Sequence, residues 1–112
     1  MRTVKYRAWD KKNKVILSWE ELKKLNYLYQ FLLFEDENYI FLQYIGLKDK
    51  NGVKIYEGDI LDNWDYEQDA HTEHNLGKTI VKWSNDYPGF VGFTGEYFEV
   101  IGNIYQNSNL LK

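Results

Sequence analysis

The chain has 112 residues, a net charge of −3 and a pI near 5.4, a length that fits one domain. It has no cysteine, which excludes disulfides, thiolate nucleophiles and Cys-based zinc sites and suits a reducing cytoplasm. The acidic balance argues against strong non-specific binding to nucleic acid, and no apolar run approaches the ~20 residues of a membrane span.

The first residues are charged and lack an apolar core, so no secretory leader is expected. Thr3 to Trp9 alternates, with Val4, Tyr6 and Ala8 on one side and Lys5, Arg7 and Trp9 on the other. Period two predicts a strand with one buried face. Asp10 to Lys14 is a polar turn, and Val15-Ile16-Leu17 reads as the return strand of a hairpin. Ser18-Trp19-Glu20-Glu21 carries the spacing of a capping box. Trp19, Leu22, Leu25 and Tyr29 follow at helical spacing, which predicts a helix to about Leu25. Leu28 to Phe34 reads equally as more helix or as a buried strand. Glu35 to Asn38 is a turn, and Tyr39 to Tyr44 alternates again.

From Gln43 to Leu61 three glycines (Gly46, Gly52, Gly58) punctuate apolar residues. Asn51-Gly52 and Glu57-Gly58-Asp59 are turn signals, because these residues tolerate positive φ. Asp62 to Gly77 is too polar for a core strand and reads as a long exposed loop or an acidic hairpin. Lys78 to Trp83 alternates, Ser84 to Gly89 turns at the sole proline, Pro88, and Phe90 to Phe93 is a short strand. Thr94 to Glu96 turns again, and Tyr97 to Tyr105 is the last strand, with Gly102 a bulge.

Three blocks carry a resemblance. Gly46-Leu-Lys-Asp-Lys-Asn-Gly52 followed by Ile55-Tyr-Glu-Gly-Asp-Ile60 is the most specific. Val4-Lys-Tyr-Arg-Ala-Trp-Asp-Lys11 and Tyr97-Phe-Glu-Val-Ile-Gly-Asn-Ile-Tyr-Gln-Asn107 match in order and spacing. Together they strongly resemble the YopX family of phage and prophage proteins. The resemblance implies a phage or prophage origin, a bacterial cytoplasmic setting and a mostly β fold. It implies no activity.

The pattern after Leu47, about five short strands with tight turns, suits a small, partly closed SH3-like β-barrel. The predicted fold is therefore mainly β (α+β). Residues 47–112 would form the barrel, and residues 1–46 would pack a hairpin and one helix on it as part of a single domain. A single twisted antiparallel sheet covered by the helix is the alternative.

Candidate chemistry is sparse. Asp65, Glu67, Asp69, His71 and Glu73 are spaced by two, with His74 adjacent. On an extended segment they would share a face fit for a divalent ion, whereas the plainer reading is a solvated acidic loop. Asp49 and Asp59 could pair as acid and base, but carboxylates beside tight turns more often cap them. No nucleophile elbow, phosphate loop or dinucleotide fingerprint is present, so no catalytic residue and no cofactor is predicted.

A binding surface is the remaining reading. Trp64, Tyr66 and Tyr87 lie in loop-like context, while Trp83, Phe90 and Phe93 come from neighbouring strands. Small barrels bind extended ligands through such aromatic patches. Arg2, Lys5, Arg7, Lys11, Lys12 and Lys14 make the first hairpin basic, and Trp9 beside them could stack on a base. Residues 1–54 carry +4 and residues 55–112 carry −7. This is the decoration of two solvent faces, or a dipolar molecule that self-associates head to tail. The expectation is a non-enzymatic module that binds a protein partner or itself, with Arg7, Trp9, Lys11, Trp64, Tyr66 and Tyr87 as its candidate surface. Nucleic-acid binding through the basic hairpin is the alternative.

Overall fold

A computed structural model describes residues 5–24, 35–67, 70–84, 89–93 and 97–111. They form β1 (Tyr6–Asp10), β2 (Val15–Leu17), α1 (Trp19–Lys23), β3 (Tyr39–Lys48), β4 (Lys54–Tyr56), β5 (Asp59–Glu67), β6 (Thr72–Ile80), β7 (Lys82–Trp83), β8 (Phe90–Val91), β9 (Tyr97–Asn103) and a 3-10 turn at Ser108–Leu111. The chain is mainly β, and it divides into two units, Met1–Tyr44 and Ile45–Lys112.

In the first unit β1 lies between β2 and the start of β3, antiparallel to both. Ala8 faces Leu17 across one ladder and Phe41 across the other. Asp10 builds the β1–β2 turn: its carboxylate accepts from the backbone N–H groups of Lys12 and Asn13 and from the Asn13 side chain. Lys14 adopts φ 60° to close the turn. The helix starts where the capping box predicts. The Ser18 hydroxyl accepts from the Glu21 N–H at 3.1 Å, and Glu21 reaches back to the Ser18 N–H. Leu22 and Ala8 form the core of this unit, with Tyr6, Leu17, Trp19, Tyr39 and Phe41 packed around them. Leu28 to Phe34 lie outside the described residues.

In the second unit β4 pairs with β3 across the turn at Asp49 to Val53. Gly52 and Gly58 hold φ of 82° and 87°, the left-handed region their turns require. β5 is the central strand of a three-stranded antiparallel sheet, with β6 on one side and β9 on the other, and β7 pairs with β8. Ile55, Leu61 and Val81 are fully buried and gather Ile45, Phe90, Phe93, Phe98 and Val100 around them. The strands curl as a half-barrel, compatible with a small SH3-like barrel.

One open reading is decided and two local readings are corrected. Asp62 to Gly77 is the hairpin of the two alternatives: β5 and β6 pair from Ile60–Ile80 out to Glu67–Thr72. Asn63, fully buried, donates to Thr79 Oγ1 at 2.9 Å and to the Gly77 carbonyl at 3.1 Å. These bonds satisfy the polar group that the pairing buries at the base of the hairpin. The alternation at 78–83 breaks at Val81, whose backbone N–H and carbonyl bond Asp59 and Gly58. The last strand ends at Asn103 rather than Tyr105, because the Asn103 side-chain oxygen accepts from the backbone N–H groups of Tyr105 and Gln106 and turns the chain.

Candidate functional site

Alternation along β5 sends Leu61 and Asn63 into the core and Asp62, Trp64 and Tyr66 to the opposite face. Directly opposed residues of antiparallel strands share a face. The register therefore adds Tyr97 (opposite Trp64) and Glu99 (opposite Asp62) from β9, and Lys78, Asn75 and Glu73 from β6. This outward face carries three rings, three carboxylates and a lysine.

A second lysine comes from the Asp49–Val53 turn. The Lys50 ammonium lies 5.8 Å from the Trp64 ring centroid and 5.5 Å from that of Tyr97, within cation–π reach of both. The Glu99 carboxylate is 3.5 Å from it. The Tyr97 hydroxyl donates to Glu73 at 2.7 Å, and Asn75 donates to Asp62 at 2.7 Å. The side chains of Lys50 and Glu99 are about a third exposed, at 34% and 39%, so the ion pair contributes little stability by itself. The arrangement is a seat for a cation made of two rings and a carboxylate rim. Beneath it the Trp64 Nε1 is buried without a hydrogen-bond partner among the described residues.

The predicted surface residues separate. Trp64 and Tyr66 stand on this face, half-buried and exposed respectively. Arg7 and Lys11 belong to the first unit, Arg7 half-buried and Lys11 exposed. Trp9 is corrected: it is 7% exposed, so its ring has no open face for a base. The period-two reading placed it correctly opposite Ala8 but wrongly equated that side with solvent: Trp9 is buried there, whereas Arg7 is half-buried. Tyr87 lies outside the described residues. Tyr97, Lys50 and Glu99 were not singled out from sequence, and Glu73 entered only as a member of the acidic series weighed for a divalent ion. The pairing of residue 64 with residue 97 joins positions far apart in the chain, and no local pattern reports it.

The two suspected acid–base carboxylates serve the fold. Asp49, 7% exposed, accepts from the N–H groups of Asn51, Val53 and Val100. Burial alone would push its carboxyl up, but these three amides, with Lys50 nearby, outweigh it and hold the group below its ordinary value. Asp59, 1% exposed, accepts from the Tyr56 N–H at 2.8 Å across the Gly58 turn.

The acidic series does not share one face as an extended run would. The chain reverses at Ala70–His71, so His74 falls opposite Asp65 while Glu73 falls opposite Tyr66 on the other side. His74 Nε2 lies 3.1 Å from Glu67, and Tyr66 hydrogen-bonds His71. Among the described residues no three carboxylate or imidazole side chains converge as a metal requires. Among the same residues no helix is long and apolar enough to cross a membrane.

The solved structure of protein EF1440 from Enterococcus faecalis is similar over 100% of both chains, with a TM-score of 0.66 and 23% identity, a likeness of fold. No curated protein matches the chain. The model of the YopX protein family matches residues 5–112. That span takes in the central glycine block, nearly all of the N-terminal block and the last strand, and the chain belongs to the YopX family.

Proposed function

We propose that this protein is a non-enzymatic accessory module of phage or prophage origin, working in the bacterial cytoplasm by holding a protein partner or further copies of itself. The observation that carries this reading is the outward face of the β5–β6–β9 sheet. It presents Trp64, Tyr66 and Tyr97 beside carboxylates and lysines, the mixture of rigid rings and polar rim that protein interfaces favour. The absence of a catalytic grouping in the sequence, together with the structural duties of Asp49 and Asp59, supports a role in binding over chemistry. The basic hairpin supports nucleic acid less well, since Trp9 is buried.

Affinity capture of the tagged protein from phage-infected cells, read by mass spectrometry beside light scattering of the purified chain, tests the proposal. The expected result is a discrete partner or a defined assembly that Trp64→Ala weakens. A monomer that retains nothing, or turnover of a substrate by the purified protein, would overturn it.

A further inference from the structure

The seat on the outward sheet face and the turn of the first hairpin are chemically complementary. The seat is already shown to accept a lysine, because Lys50 of the same chain places its ammonium over the Trp64 and Tyr97 rings with Glu99 alongside. Glu73, held by the Tyr97 hydroxyl, adds a second carboxylate beside those rings. The β5–β6 arm is acidic in excess, with Asp62, Asp65, Glu67 and Glu73 against Lys78.

The matching surface is the β1–β2 turn. Lys11, Lys12 and Lys14 are all exposed. The turn that carries them is fixed by the Asp10 carboxylate, which bonds two backbone amides and the Asn13 side chain. A preformed turn loses little conformational freedom on docking, which favours association.

Resting on the reading of this protein as a binding module, we propose that the Trp64–Tyr97 seat docks the Lys11–Lys14 turn of a second copy, with the incoming ammonium taking the place of Lys50. Lys50 is then an internal competitor: it fills the seat in the isolated chain and must leave it on assembly. Each copy carries one turn and one seat, so two copies close reciprocally or the contact runs on from copy to copy. The interaction is between partly exposed charges, so salt screens it.

Sedimentation velocity of the full chain, at ionic strengths on the order of 0.05 M and 0.5 M, tests this. The wild type is expected to associate at low salt and dissociate at high salt. K11E/K12E/K14E and E73K/E99K should each weaken association by roughly tenfold or more, since several exposed pairs are inverted together. An equimolar mixture of the two variants should restore a complex, because each then supplies the charge the other lacks. K50M should strengthen association by removing the competitor, and circular dichroism melts confirm that each variant is folded. A wild type that is monomeric at every concentration and salt, or an assembly indifferent to the charge reversals, would overturn the docking. If the reversed pair fails to recombine, or K50M weakens assembly, the proposal fails as well. A monomer that still captures a partner from infected cells would sink this contact while leaving the binding-module reading intact.

Discussion

Asp49 joins a turn to a strand fifty-one positions further along the chain. One carboxylate oxygen accepts from Asn51 and Val53 in its own turn, and the other accepts from Val100 in β9 at 2.9 Å. Asp49→Ala leaves three backbone amides without that acceptor. The expected loss is about 2–4 kcal/mol of unfolding free energy in urea titrations. Asp10 is likewise held below its ordinary value, first by the Asn13 N–H, which outweighs partial desolvation, then by the Asn13 side chain and by Lys12. A carboxylate with a depressed folded value contributes its stability above its unfolded value and loses it as pH falls through the folded one. Melting temperature should therefore hold at neutral pH and drop below about pH 4. Asp49→Asn should flatten part of that drop, and an unchanged acid limb in this variant would contradict the assignment. Gly92 and Gly52 make a second residue-scale contrast. At Gly92, φ is 120° and a Cβ would run into the Ile80 carbonyl, whereas at Gly52, φ is 82° and the space is open. Gly92→Ala should destabilise by about 3 kcal/mol or more, and Gly52→Ala by about 1 kcal/mol through backbone strain alone. The Asn51-Gly52 turn was legible from its dipeptide. The demand at Gly92 was not, since it comes from a neighbouring strand.

At the scale of elements, local chemistry reads well where both partners are close in sequence. Ser18 and Glu21 sit three apart, and the capping box forms between them. The helix they start covers only Trp19 to Lys23, too short to hold by propensity, and it persists because Leu22 packs on Ala8. Ser18→Ala is expected to remove about 1 kcal/mol, measurable as a lowered denaturation midpoint with an unchanged slope. The β5–β6 hairpin shows the limit. Its residues average too polar to announce a strand, and two readings stayed open. The hairpin is the one that holds, and at its base the buried Asn63 amide bonds acceptors on the neighbouring strand. Trp9 shows the same limit from the other side. Alternation correctly separates the two faces of β1, but only the packing decides whether the second face meets water.

At the scale of the whole molecule, protection should follow pairing. β5 is bonded on both sides, by β6 and β9, and its inner half holds Ile60 and Leu61, both fully buried. Amides from Ile60 to Asn63 are expected to exchange slowest in native-state hydrogen exchange, and those from Thr72 to Asn75, on the exposed outer half of β6, much faster. Equal protection along β6 and β5 would contradict this picture. The uneven charge, +4 over residues 1–54 and −7 over residues 55–112, is a property of composition; what it acts on depends on where the strands carry it.

The family was legible from the resemblance of three sequence blocks; composition, alternation and turn chemistry were enough, without coordinates, for the mainly β class, the first hairpin, the capped helix start and the glycine turns. Each of these depends on residues within a few positions of one another, where steric preference and side-chain reach act directly. The register of β5 against β9, the burial of Trp9 and the meeting of Trp64, Tyr97 and Lys50 waited on the tertiary structure. They depend on contacts between distant segments, whose geometry is set by how strands pair and cores fill rather than by any residue's own preference.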